Sequence, residues 1–369
     1  LRTGIVSRHR GTVAFVLIAT IVLLVSTGTG LAFAAPKSLP AEVTQYGYPL
    51  DSAWVTNGAV KSVAYSPATG LTYIGGKFTK LFPNSGSGAP VSATTGKALK
   101  TFTKVNGAVY AAAPDKKGGF FIGGSFSMVG NLSRSCIAHV LSDGTVDAAW
   151  HPWANGPVYS ISVSGTKVYA GGQFTNIGGA DRSFVAALDF TTGLATSWAP
   201  QADGTVLSVI SPAGGKVYIG GVFNNAGGQA RTNVAAISAT TGLATSWAPQ
   251  ASGPVCALAA SGTSIYVGGN FAAIGGQTRY SLAAIDTTSG LATEWNPGVD
   301  GTVLSIAVSG TNVYIGGVFD WTGGQLRSSI AAIDMTTGLA TAWNPGSNGL
   351  VSSLAANATT VYAGVSSPA

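Results

Sequence analysis

Val313-Tyr314-Ile315-Gly316-Gly317-Val318-Phe319 is an apolar run that carries one aromatic and then two adjacent glycines. The run recurs as Tyr73-Ile74-Gly75-Gly76, Phe121-Ile122-Gly123-Gly124, Tyr169-Ala170-Gly171-Gly172, Tyr218-Ile219-Gly220-Gly221 and Tyr266-Val267-Gly268-Gly269. A seventh copy, Tyr362-Ala363-Gly364, lies near the end of the chain, and successive first glycines are 48 or 49 residues apart. Two more columns keep this period. One is aromatic: Trp54, Phe102, Trp150, Trp198, Trp247, Trp295 and Trp343. The other is a turn: Asn57-Gly58, Asn106-Gly107, Asn155-Gly156, Asp203-Gly204, Ser252-Gly253, Asp300-Gly301 and Asn348-Gly349.

Around the opening run, one unit reads as four short strands. Val303 to Ser309 alternates as an innermost strand, and Ser309-Gly310-Thr311-Asn312 turns the chain. Val313 to Phe319 is the second strand, Ile330 to Asp334 the third, and Leu339 to Trp343 the outermost. Short strands joined by Gly-rich turns indicate a sandwich or barrel in general. A fixed period between the WD40 and kelch lengths narrows this to blades. The sequence therefore predicts an all-β fold, a seven-bladed β-propeller of four-stranded blades. Leu50-Asp51-Ser52-Ala53-Trp54 matches an outermost strand, and 41–46 is the candidate third strand, so the N-terminal strands are expected to complete the last blade. Such closure leaves no open sheet edge.

Each column has a physical reading. A glycine pair inside a strand marks close approach by another backbone, here expected from the adjoining blade. The column Ser62, Ala111, Ser160, Ser208, Ala257, Ser305 and Ser353 on the innermost strand is small enough for the sheets to converge. The outer Trp column supplies buried area where the sheets diverge.

Composition agrees with a folded, exported β protein. Of 369 residues, 52 are Gly, 46% are hydrophobic and only 9% are charged, which excludes a disordered chain. Arg2, Arg8 and Arg10 precede an apolar run from Thr12 to Val25, and Ala32-Phe33-Ala34 forms a small-x-small cleavage site. The expected organisation is a signal peptide over 1–34, a linker or closing strand over 35–49, and the propeller over 50–369. An uncleaved membrane anchor is the alternative for the first segment. Cleavage would remove three Arg and no acids, leaving 16 basic against 13 acidic residues, or +3 in place of +6. No cluster of Lys and Arg remains for nucleic acid. Cys136 and Cys256 fall at different repeat positions and read as two strand thiols, not a bridge.

A resemblance appears at the second unit. Asp143-Gly144-Thr145-Val146-Asp147-Ala148-Ala149-Trp150, preceded by Phe121-Ile122-Gly123-Gly124-Ser125-Phe126 and Arg134, resembles the bacterial delta-sixty β-propeller repeat. The resemblance covers roughly residues 50 to 365 and implies a secreted or surface-associated propeller with no established activity. Later units drift toward kelch-like and quinoprotein-like forms. Ala332-Ile333-Asp334-Met335-Thr336-Thr337-Gly338 with Trp343 is similar to the tryptophan-docking motif of quinone-dependent dehydrogenases. Its Trp stands five residues after Gly, where that family has four, and the motif there is structural.

Candidate functional residues lie on the loops between strands two and three and on the loops leading into the next blade. Arg134, Arg182, Arg231, Arg279 and Arg327 recur in the first set, and Gly86 replaces the Arg in the first unit. Five guanidinium groups suit carboxylates, sulfates or acidic sugars through bidentate bonds. They equally suit a scaffolding role on loop carbonyls. Trp153, Tyr280 and Trp321 break the repeat on the same loops, with His151 and Asp320 nearby, and such aromatics suit a sugar ring or a peptide. No His-Glu-x-x-His motif or Gly-x-Ser-x-Gly elbow is present. The expectation is a non-catalytic binding or adhesion module that needs no cofactor or metal. Its partner would be an extracellular glycan, peptide or cell-wall component, and the propeller itself would be monomeric. A quinoprotein-like oxidoreductase or a carbohydrate-active hydrolase or lyase is the alternative.

Overall fold

Alternating apolar strands and tight turns produce seven successive antiparallel sheets among the described residues of the computed structural model, which cover 58–78, 88–92 and 103–366. Six of these sheets have three strands. The sixth is built from Thr302–Ser309, Asn312–Val318 and Ile330–Asp334, close to the expected bounds. The seventh has two strands, Leu350–Ala356 and Val361–Ser366. The segments expected to complete it, 41–46 and 50–54, lie outside the described residues, as do the proposed signal peptide and Gly86. The count of seven sheets agrees with seven blades.

The innermost strands pack side by side in chain order, and the strand Leu350–Ala356 packs against Ala59–Ser66 to close the ring. Each innermost strand contains a bulge one residue long, as between Val206 and Ser208 or between Val255 and Ala257. Such a bulge bends the strand and re-aims the side chains on either side of it. It sets the valine before the bulge against the previous sheet. A Cβ on Gly123, Gly171, Gly220, Gly268 or Gly316 would lie 2.5–2.6 Å from Cγ1 of Val158, Val206, Val255, Val303 or Val351. At the seam, a Cβ on Gly364 would meet Cγ1 of Val60 at 2.9 Å.

The glycine pair thus differs from the expectation of two backbones in contact across a blade boundary. The first glycine is a notch for a valine side chain of the next sheet. The second faces a main-chain carbonyl of its own sheet at or just before the start of the innermost strand, as Gly221 faces Thr205 and Gly317 faces Thr302. The small column also has a role beyond its size. Ser160, Ser208, Ser305 and Ser353 accept backbone N–H groups of Val209, Leu258, Leu354 and Val63 at 2.7–3.1 Å. In every case the donor belongs to the following sheet, and the last pair crosses the seam.

The core is a series of layers between neighbouring sheets. One layer combines Tyr169, Val185 and Trp198 with Val206, Val217, Ile219 and Phe223 of the next sheet. Trp198, Trp247 and Trp295 are buried, and their indole N–H groups donate to carbonyls of Ser238, Asp286 and Asp334 in the following sheet at 2.8–2.9 Å. Each indole also meets the preceding tyrosine edge to face, as in Tyr218–Trp247 at 5.0 Å. The Trp column therefore joins sheets by both packing and hydrogen bonding.

The fourth strand differs from the expectation. Leu339 to Trp343 pairs with the third strand only at the bridge Ile333–Ala340. The N–H of Ala340 goes instead to the carbonyl of Gly323 at 2.9 Å. Gly323 is the tip of an unexpected two-stranded hairpin, Trp321–Thr322 with Gln325–Leu326. Equivalent hairpins occur in the second to fifth sheets.

Candidate functional site

Two repeated side chains fix these hairpins. At the start, the turn residue caps the chain. Asn106, Asn155, Asp203, Ser252 and Asp300 each accept two successive backbone N–H groups; Asp300 takes those of Asp320 and Trp321, both at 3.0 Å. At the end, the arginine ties the hairpin to the outermost segment. Nη2 of Arg182, Arg231, Arg279 and Arg327 donates to the carbonyls of Thr196, Thr245, Thr293 and Thr341 at 2.6–2.7 Å. Arg134 reaches Asp147 and Ala148 in the same way. Nη1 of each donates to the carbonyl just before it. The partners are all within the arginine's own sheet. Where the outermost ladder is reduced to one bridge, the guanidinium supplies the missing attachment.

Arg279→Ala is accordingly expected to cost about 1.5–3 kcal/mol, the range for hydrogen bonds to a charged group. Arg279→Lys should recover only part of this, because an ammonium cannot span two carbonyls as a planar fork does. Urea unfolding checks this through a lower midpoint at unchanged slope.

With the frame fixed by repeated residues, the departures from the repeat stand out. Tyr280 is 57% exposed and Trp321 is 42% exposed. Both line an open groove of about 760 Å³ with Ser252, Asn270, Asp300 and Thr302, within the ~300–1,000 Å³ span of ligand clefts. Tyr280 occupies a column otherwise held by Ser135, Ser183, Thr232 and Ser328. Asp320-Trp321 replaces Ser127-Met128, Thr175-Asn176, Asn224-Asn225 and Ala272-Ala273. Beneath the indole is Gly298, at φ 59°, where a Cβ would lie 3.5 Å from Cζ3 of Trp321. Trp153, Gln201, Gln250 and Gly346 hold the equivalent left-handed position. A side chain there would compete for the space that Trp321 occupies.

Trp153 is separate from this groove. It is 47% exposed, with φ 43°, on the loop into the third sheet. A bulky residue in the left-handed region is strained. The structure thus brings together two of the three extra aromatics and places each of the five arginines as a clamp within its own blade. Sequence reasoning passed over Gly298 and Asn270 and read Ser252 only as a turn residue. The signal for Gly298 was present in the repeat, as a small residue standing where Gln201 and Gln250 recur.

A second departure is buried in the second sheet. His139 is 5% exposed, and its ring is stacked on Phe121 at 4.2 Å. Its Nε2 is 3.0 Å from Oδ2 of Asp115, and its Nδ1 is 2.9 Å from Oδ2 of Asp147. The other oxygen of Asp115 accepts the N–H groups of Lys117 and Gly119. That of Asp147 accepts those of Ala149 and Trp150. For both carboxyls burial alone raises the pKa; the bonds from His139 and these backbone N–H groups outweigh it and hold them below the ordinary carboxylate value. Ala187, Ala236, Ala284 and Ala332 stand in the histidine's place in later repeats. Elsewhere, burial pushes the Cys256 thiol up to about 11, and both cysteines are free.

The WD40 β-propeller domain of Doa1 superposes with a TM-score of 0.61 at 12% identity, covering 87% of this chain and 95% of that one. The chain is a β-propeller. A chain of the mitotic checkpoint complex gives a TM-score of 0.62 at 10% identity, over 92% and 96% of the two chains. The computationally designed Ika8 protein gives 0.55 at 16% identity, over 85% and 96%. No known sequence family matches this propeller, and no curated protein matches it in sequence. The likeness is one of fold, so the sheets described above are its blades.

Proposed function

We propose that this propeller is a secreted or cell-surface binding module that works without catalysis through its hairpin face, with the Tyr280–Trp321 groove as the contact. The observation that carries the reading is a coincidence of departures. Tyr280 comes from the fifth blade, Gly298 from the loop into the sixth, and Asp320-Trp321 from the sixth. Two unrelated changes to the repeat, at Tyr280 and at Asp320-Trp321, meet in one groove beside a glycine that leaves room for the indole, and none of these side chains is needed by the clamps that hold the blades. Solvent-exposed aromatics on a rigid frame are the side chains most often found at the energetic centre of recognition sites. Export is supported by the basic and apolar N-terminal sequence and by the delta-sixty-like second repeat. A propeller also serves within an assembly in the mitotic checkpoint complex.

The test is a binding screen of the full chain against glycans, peptides and cell-wall preparations. Trp321→Ala is expected to weaken the binding found by about 30-fold or more, the effect of losing a central aromatic anchor. Both aromatics are exposed, so circular dichroism and the thermal midpoint should stay at wild-type values. A blank screen with wild type, or a ligand held equally well by Trp321→Ala, would sink the proposal.

A further inference from the structure

The groove's hydrogen-bonding groups narrow what it can hold. We infer that it takes an uncharged, hydroxylated sugar ring of a glycan; this rests on the proposed binding face and specifies its ligand.

The first consideration is charge. The two cations nearest in sequence, Arg279 and Arg327, have Nη1 and Nη2 committed to the carbonyls of Thr278, Leu326, Thr293 and Thr341. They are also buried, at 8% and 6% exposure. The groove lining contains no Lys or Arg, and its one ionised group is the Asp300 carboxylate. A uronate, sulfate or phosphate would face that carboxylate with no compensating cation, which is unfavourable.

The second consideration is the balance of donors and acceptors. Oδ1 of Asp300 is occupied by two backbone N–H groups, so Oδ2 is the acceptor offered to a ligand. Ser252 Oγ accepts from Ala272 and Ala273, which leaves its hydroxyl proton to donate. The exposed Asn270 amide supplies both a donor and an acceptor, and Thr302 adds a hydroxyl. A cationic side chain would use only the acceptors and leave the donors idle. A sugar ring, whose hydroxyls each donate and accept, uses both kinds. Its apolar C–H face would rest on the indole of Trp321 or the ring of Tyr280, since such rings combine an apolar face with a polar tip.

The experiment is calorimetric titration of the full chain with three probes: neutral hexose oligomers of several linkages, oligogalacturonate, and a Lys-rich peptide. A neutral oligomer is expected to bind with an affinity that holds steady as salt rises from about 0.05 to about 0.5 M, because no ion pair is screened. Trp321→Ala should weaken that binding by the same factor of about 30 or more. Asp300→Asn keeps the Oδ1 cap, as Asn106 and Asn155 show in their blades, but replaces the Oδ2 acceptor with a donor. It should therefore weaken glycan binding while leaving the thermal midpoint unchanged. Preference for oligogalacturonate or for the peptide, lost in Trp321→Ala, would overturn the ligand class and leave the binding face standing. Failure of all three probes, or neutral-glycan binding that ignores Trp321→Ala, would overturn both.

Discussion

Gly221→Ala is expected to prevent folding or to cost about 3 kcal/mol or more, beyond the usual range for overpacking. The added methyl would be driven into the carbonyl of Thr205 in the same blade, an oxygen already held by the N–H of Val222 at 2.8 Å. Gly220→Ala fails differently. Its methyl would meet Cγ1 of Val255 at 2.5 Å, a side chain of the next blade. The pair can therefore be separated by a double-mutant cycle. Val255→Ala should rescue part of the loss in Gly220→Ala and none of the loss in Gly221→Ala. Gly228→Ala is the control, since a Cβ there meets nothing and only its φ of 77° is unfavourable, costing about 1–2 kcal/mol. Denaturant midpoints of wild type, the four single variants and the two double variants measure these differences. Equal rescue at both glycines would contradict the division of labour within the pair.

His139→Ala is expected to lose about 3 kcal/mol at neutral pH. Removing one member of a buried charged group costs ~3–5 kcal/mol when the rest is left uncompensated. The lower figure applies because the Asp147 side chain keeps 24% exposure. The pH dependence has a definite sign. Asp115 and Asp147 have carboxyl pKa values held down in the folded protein. Their contribution is present above the unfolded carboxyl value, about 3.9, and is lost as pH falls through the folded values. Wild type should therefore exceed His139→Ala by most at neutral pH, and the gap should narrow below about pH 4. Unfolding curves at several pH values test this. A gap constant between pH 7 and pH 3 would show that only packing against Phe121 was lost.

Much of the architecture was legible in the sequence because a propeller repeats its physics. The period fixed the blades, and the Tyr, Gly-Gly and Trp columns located their strands to within a residue or so. What each glycine meets was not legible. A valine of the next blade and a carbonyl of the same blade recur with the same period, and periodicity cannot separate them. The outermost strand misled for a related reason. Leu339 to Trp343 has the composition of a strand, but the N–H of Ala340 is taken by Gly323, a partner seventeen residues away that no local pattern indicates. The arginines were ambiguous because repetition serves a clamp and a ligand ring equally well; only their hydrogen bonds distinguish the two. The aromatic departures were visible one by one, and their convergence on Gly298 was not. His139 and its two carboxylates are separated by 24 and 8 residues, and none stands out alone.

The joint between blades is one-sided. Every blade offers a glycine notch on one flank and a valine on the other, four of them add a serine that accepts an N–H of the next blade, and the joint at Gly364 and Val60 follows the same rule. In an assembly of separate subunits this would be a head-to-tail contact, which grows without limit unless its rotation divides a full turn evenly. The number of blades is then an angular property of the joint, set by how far a valine seated beside a glycine tilts one sheet against the next. Chain length supplies enough copies, but the geometry of that single contact determines when the circle is full.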